Sequence, residues 1–509
     1  MASDLPSDLR HRHPREFPPS NGASASHVAG RPPRHGRATG SPLVDRMARP
    51  ALLYARVHAE RFVRELDPFL RFPSVSNSPK HRESVQECAE WLTRHLEQIG
   101  LADVRLIPTE GHPIVYAESE QRDGCPCLLV YGHYDVQPAD PLAQWRSPPF
   151  TPTRRGDHLY ARGASDDKGQ LFIHVKAMES FLRARGSLPL HVKCVFEGEE
   201  ETGSRHFAEF LRQNKSLLHA DLGLISDTRI LSPRQPVLVY GQRGMLSLEL
   251  AVRGAPQDLH SGAFGGAIHN PVQALCEILG AMHDGEGRIN IPGFYDRVRE
   301  STSRERAYFS AHAPSDEQIL KDAGTPSGWG EPGFSLFERT TIRPALTLNG
   351  IRGGYQGPGA KGIIPATATA KISFRLVPGQ DPSEIESLLR RFLKEISPRT
   401  VQTSLRVLSG ARPVLMPPSH PANRVAAWAY LKAFGKSPVF LRSGGTIPVV
   451  NSLQDILGIP TVLMGFALPD DRMHGPNEKM YLPNFHRGIA ASIWFMAALS
   501  QMGRGKTLT

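Results

Sequence analysis

Five residues whose side chains bind hard or borderline cations stand beside small or turn-forming neighbours. They are His133 in VYGHYDVQP (130–138), Asp166 in GASDDKGQ (163–170), Glu201 in EGEEETGS (197–204), Asp227 in LISD (224–227) and His474 in DRMHGPNEK (471–479). Each follows an apolar run, so each is expected where a strand ends. Two imidazoles and three carboxylates suit a pair of divalent ions about 3.5–4 Å apart, with one group shared between them. No cysteine joins the set, which removes most structural zinc readings. Any one of the five could be a cap or turn residue, and the run Glu199–Glu201 could be a solvated helix start favoured by the dipole. Five coincidences in one chain are much harder to sustain, so together they read as the ligands of a two-metal hydrolase.

Those residues need elements that bring them together. From about residue 50 the pattern is α/β. Helical spacing runs through Val85, Cys88, Trp91, Leu92, Leu96 and Ile99, with Gly100 as a C-terminal stop. Short apolar runs at 114–117, 127–131, 192–196 and 222–225 are bounded by Gly, Pro or Asp, as buried central strands are. Helical segments such as 171–182 lie between them. This alternation predicts a mixed, mostly parallel sheet covered by helices on both faces. Ligands collect at the carboxyl ends of such strands, so residues distant in sequence would meet along one edge. Between 242 and 411 the texture changes: LSLELAVRG (246–254) and ATAKISFRLVP (368–378) alternate apolar and polar positions, each followed by a helical stretch. That predicts an inserted α+β unit at 242–411, interrupting a main domain of 46–241 and 412–503, with 284–345 as a loop-rich stretch.

Composition narrows the partners. The 509 residues exceed one ordinary core, and 40% hydrophobic with 22% charged residues is a soluble globular profile. The net charge of +10 is fed by Arg10, Arg12, Arg15, Arg31, Arg34 and Arg37 in the first 40 residues. No helix carries a basic stripe interleaved with aromatics, so nucleic acid is not expected as a partner. Residues 1–45 are rich in Pro, Gly, Ser, Arg and His without apolar periodicity and read as a disordered basic tail. An apolar secretory core is missing there, and no run approaches the roughly 20 residues of a membrane span. Cytoplasm is therefore the expected location. Five sparse cysteines do not make a disulfide framework and read as small buried thiols.

The motifs H-x-D (133–135), DDKG (166–169), EGxEExGS (197–204), ISD (225–227), DLHSG (258–262) and HxxNEK (474–479) occur in one order. In that order they resemble the M20 metallopeptidases, and most of all their carnosinase-like dipeptidase branch. The likeness extends over the chain after the tail and implies a zinc-exopeptidase-like catalytic domain with an inserted lid and dimerisation domain. It implies that His133 and Asp227 hold one ion, Glu201 and His474 the other, and that Asp166 bridges both. Asp135 would be the carboxylate that orients the His133 imidazole. Glu200 would be the general base, taking a proton from a metal-bridged water whose pKa falls from about 15.7 toward about 7. His260 in DLHSG resembles the lid histidine that reaches the partner subunit's site and stabilises an oxyanion. Arg375 resembles the residue gripping a substrate's terminal carboxylate, helped by the loop at Gly444, Gly445 and Thr446, and Asn349 is a weaker candidate for the oxyanion region.

One departure is the third acid, Glu199, in EGEEETGS. The expected activity is a homodimeric dipeptidase with two divalent ions per subunit, zinc or else manganese or cobalt, acting on small peptides. An aminoacylase-like or carbamate-cleaving amidohydrolase of the same family is the alternative.

Overall fold

The computed structural model describes residues 42–502. Of the tail expected at 1–45, residues 1–41 lie outside the described residues and 42–45 lie within them. They open the helix Pro42–Val57, whose Val44, Ala48 and Ala51 are buried. Residues 42–45 are therefore helix and not tail, because Val44 has a core to enter.

Apolar runs become strands where expected: Ile114–Glu118, Cys127–His133, His191–Glu197 and Leu222–Ile225. The last three are buried along their whole length, so they show continuous hydrophobicity rather than alternation. They form the centre of a nine-stranded mixed sheet. Cys127–His133 lies parallel to both His191–Glu197 and Leu222–Ile225, and Thr461–Leu463 adds parallel to the latter. Antiparallel strands flank this parallel centre, among them Asp103–Ile107 and Ile114–Glu118 on one side. On the other, Val237–Gln242 pairs with both Thr461–Leu463 and Val414–Leu415.

Helices cover both faces, giving two apolar cores. The helix Lys168–Arg185 packs beneath the sheet and is buried almost all round. Arg82–Ile99 ends where Gly100 adopts φ 103°, a conformation that costs other residues a Cβ clash.

At Arg243 the chain leaves the large sheet, and Gly244–Arg253 begins a second one. That strand alternates buried and half-buried positions, the signature of one covered face. The second sheet is four-stranded and antiparallel, in the order Ala345–Gly353, Thr367–Leu376, Gly244–Arg253, Gln402–Ala411. Helices Pro271–Gly280 and Pro382–Ile396 pack on it around a separate apolar core. The chain returns to the large sheet at Val414. The stretch 284–345 is less loop-like than its Gly and Pro content predicts, holding helices Ser303–His312, Asp316–Ala323 and Leu336–Thr341. Thr302, Ser315 and Ser335 cap them by accepting backbone N–H groups, so these short helices rest on caps more than on periodicity.

Candidate active site

His133 is the last residue of its strand, and Asp227 stands two residues past the end of Leu222–Ile225. Both strands run parallel in the sheet centre, so these side chains emerge at the same edge. Asp166 and His474 arrive differently from the strand-end expectation. Asp166 stands two residues before the helix Lys168–Arg185, and His474 lies in a long loop after Thr461–Leu463. His474 adopts φ 65° and Arg472 φ 57°. Left-handed backbone at non-glycine residues is costly and persists where the surroundings over-determine it.

The five side chains meet in two overlapping groups. Donor atoms of His133, Asp166 and Asp227 lie within 4.8 Å of one another, and so do those of Asp166, Glu201 and His474. Asp166 is common to both. Its Oδ1 is 3.3 Å from His133 Nε2, and its Oδ2 is 2.8 Å from His474 Nε2, which is 3.4 Å from Glu201 Oε2. His133 Nε2 and Glu201 Oε1 are buried without a hydrogen-bond partner. Orphaned donor atoms of this kind, facing a shared carboxylate, fit a pair of cations.

Electrostatics point the same way. Burial pushes Glu201 up to about 8, with the neighbouring Asp166 charge adding to it. Burial and the charges of Asp166 and Asp167 raise Asp227 well above the usual carboxylate range. Burial alone would raise Asp166, yet the adjacent His133 and His474 imidazoles outweigh it and hold that carboxyl low. Acids this crowded cannot all ionise unaided, and cations between them remove the conflict.

Asp135 ties the site together. Its Oδ1 lies 3.3 Å from His133 Nδ1, which also meets the Asp135 carbonyl at 3.1 Å. The same carboxylate accepts the backbone N–H groups of Glu200 and Glu201 and the Ser76 hydroxyl. One aspartate thus sets both an imidazole and the glutamate turn. On that turn the three acids diverge. Glu199 accepts from His206 at 2.9 Å, and Glu201 accepts from Gln137 at 2.7 Å. Glu200 is left beside the donor groups, its pKa raised by burial and by the charges of Asp166 and Asp135.

Of the residues expected to touch substrate, Arg375 and Thr446 meet: Arg375 Nη1 donates to Thr446 Oγ1 at 2.7 Å. Thr446 in turn donates to the Arg243 carbonyl. Gly445 and Thr446 line one cavity with Asp227. Asn349 and His260 are not drawn into this constellation. Asn349 is exposed at a bulge in the edge strand Ala345–Gly353. His260 is exposed too, capping a one-turn helix by accepting from Gly262 N–H.

Several positioning residues escaped the sequence reading. Fully buried Glu478 accepts backbone N–H groups from Gly163, Ser165 and Asp166 and pairs with buried Arg162 at 2.7 Å. Asp471 accepts from Ser165 and from Leu468 N–H. Their only sequence signal was membership of the DRMHGPNEK segment. Arg243 had none, although its guanidinium reaches the carbonyls of Arg339, Arg343 and Gly444.

A third acid–imidazole group, Glu65, His95 and Glu179, already encloses a cation of its own. Lys176 Nζ donates to both glutamates and sits 2.7 Å from His95 Nε2. It is a structural knot between helices.

A mixed α/β sheet with overlapping donor groups at its edge is the build of an α/β enzyme with a candidate two-cation site. Residues 129–496 match the model of peptidase family M20/M25/M40, and the chain belongs to that family. It is a peptide-bond hydrolase. The Cys-Gly metallodipeptidase of Candida albicans is 31% identical over 449 residues, 84% of this chain and 92% of that protein. Human Beta-Ala-His dipeptidase is 30% identical over 479 residues, 89% and 94% of the two chains. Among solved structures, human carnosine dipeptidase 1 superposes with a TM-score of 0.77 at 28% identity, over 89% of this chain and 99% of its own. An M20 metallo-carboxypeptidase of Sulfolobus solfataricus gives 0.78 at 32%, covering 86% and 99%. Among the described residues no helix is long and apolar enough to cross a membrane.

Proposed function

We propose that this chain is a dipeptidase working with two divalent ions, zinc or else manganese or cobalt, and cleaving small peptides that carry a free C-terminal carboxylate. The carrying observation is that Asp166 belongs to two donor groups at once, with Glu200 on the turn beside them. His133 and Asp227 would hold one ion, Glu201 and His474 the other, and Asp166 both. When bound, the ions lower the pKa of a water and polarise the scissile carbonyl. Glu200 accepts that water's proton and delivers it to the leaving amine nitrogen. Its burial-raised proton affinity suits a group that must both take and give.

Arg375 receives the substrate carboxylate. Burial, together with the charge of Arg375, brings Arg243 down to about 9, so two guanidinium groups stand close together there. An anion relieves that repulsion, and Thr446 joins it from the loop. In this reading 46–241 and 412–503 form the catalytic domain, and 242–411 is an inserted lid through which two copies pair. The exposed His260 of the partner subunit then enters this site to meet the developing oxyanion, with Asn349 as an accessory donor.

The test is a panel of free-amine dipeptides and N-acyl amino acids, run after chelation and after reconstitution with each metal. Expected are hydrolysis of dipeptides only in the reconstituted protein and about two ions per chain. Cleavage confined to N-acyl substrates would shift the assignment to the aminoacylase alternative. Asp135→Asn is expected to weaken metal retention about 10–100-fold, read by chelator competition, because the tautomer-setting acceptor is lost while shape is kept.

A further inference from the structure

The cavity that reaches Asp227 and Thr446 has a volume of about 480 Å³, and most of its wall is apolar. Ile230, Val237, Val239, Phe337 and Leu441 line it and are buried, and half-buried Leu231 and Ile447 complete the wall. Phe337 and Pro314, contributed by the capped helical stretch 303–341, are shared with a second cavity of about 620 Å³. Of the charged residues in its wall, Arg442 pairs with Glu305 at 2.6 Å, and Asp227 belongs to the cation-donor groups. Arg229 is exposed at the margin and donates to the Met473 sulfur. Thr228 also lines the cavity, but its hydroxyl is turned into the protein, where it is buried without a partner. A largely apolar chamber favours an aliphatic or aromatic side chain over a charged one, which would lose water there for little in return.

Its two ends fix which side chain that is. Asp227 belongs to the donor groups where the scissile carbonyl must lie, and Thr446 carries Arg375 where the terminal carboxylate docks. The residue spanning that gap is the C-terminal one. We propose that the residue released by this enzyme carries a large apolar side chain, of the leucine, isoleucine, methionine or phenylalanine kind, seated in this chamber. The proposal rests on the dipeptidase reading for its orientation and adds the substrate class.

Two measurements on the metal-loaded full chain test it separately from that reading. Calorimetric binding of free leucine, phenylalanine, glycine, aspartate and lysine probes the chamber without chemistry. In parallel, kcat/KM is measured for dipeptides with one fixed N-terminal residue and those five C-terminal residues, alongside the N-acetyl amino acids. Leucine and phenylalanine are expected to exceed glycine at least tenfold in both arms, since a single methylene in a hydrophobic site is worth about 10–200-fold. Leu231→Glu, at a half-buried position, is expected to lower the leucine-to-lysine ratio of kcat/KM by at least about tenfold. That ratio is unaffected by any loss of folded protein, because both substrates see the same preparation. Preferential leucine binding with cleavage of N-acyl substrates alone would remove the dipeptidase reading and leave the chamber standing. Preference for glycine or a charged residue, an unchanged ratio in the variant, or no selectivity in binding would overturn the proposal.

Discussion

Replacing Glu200 by Gln is expected to lower kcat about 10²–10⁴-fold while leaving two ions bound and the melting temperature unchanged. The amide keeps the size of the carboxylate but cannot accept a proton at neutral pH. The fold should not notice, because Glu200 is held through its backbone N–H, which donates to Asp135, and any side chain supplies that group. Glu199 and Glu201 cannot step in. Glu199 is turned toward His206, and Glu201 belongs to the donor group with His474. The measurement is steady-state kinetics with elemental analysis of the same preparation. A variant that keeps its metal and more than a tenth of its activity would hand the proton transfer to another group.

The contrast with Glu201→Gln sharpens this result. Glu201 offers a buried, unpaired Oε1 to the site, so its loss should reduce metal content first and activity as a consequence. Adjacent glutamates on one turn thus separate by readout.

What could be read from the sequence followed how strongly burial patterned each element. Cys127–His133 and His191–Glu197 lie between two apolar layers, and continuous burial leaves an unmistakable run. Gly244–Arg253 has one covered face and shows it by alternation. The edge strands Ala345–Gly353 and Gln402–Ala411 are largely exposed, so their composition carried no period and they were not anticipated. The helices of 303–341 were missed for a related reason: Asp316–Ala323 buries no residue completely, and Ser303–His312 buries only Phe309. Placement of His474 shows a different limit. An apolar run precedes it, but its position is set by a left-handed loop, whose Asn477 is tied to Arg146 and Gln144 across 331 and 333 residues of chain. His133 and Asp227 could be placed at one sheet edge by pattern alone, whereas the shared role of Asp166 was legible only through the family resemblance, because membership of two groups is a property of geometry.

Glu478→Ala is expected to destabilise the protein by about 3–5 kcal/mol, the cost of stranding one partner of a buried ion pair. Arg162 is nearly fully buried, and Glu478 is its only carboxylate partner among the described residues. Burial outweighs Arg162 in setting the Glu478 pKa, which lies above its usual value. The pair is therefore poorly compensated as an electrostatic element, and stability alone does not account for it. Its second task is mechanical. Oε1 accepts from Ser165 and Asp166 N–H at 2.8 and 3.0 Å, and Oε2 accepts from Gly163 N–H at 3.0 Å while also meeting Arg162. These bonds fix the turn that presents Asp166 to both donor groups. The two tasks separate in a double variant. Removing the stranded charge with Arg162→Met in the Glu478→Ala background should recover much of the lost melting temperature. Metal retention should stay about 10–100-fold weaker, because the turn still lacks its acceptor. If metal affinity returned together with stability, Glu478 would be a partner for Arg162 and nothing more, and the Asp166 turn would have to be held by its own backbone.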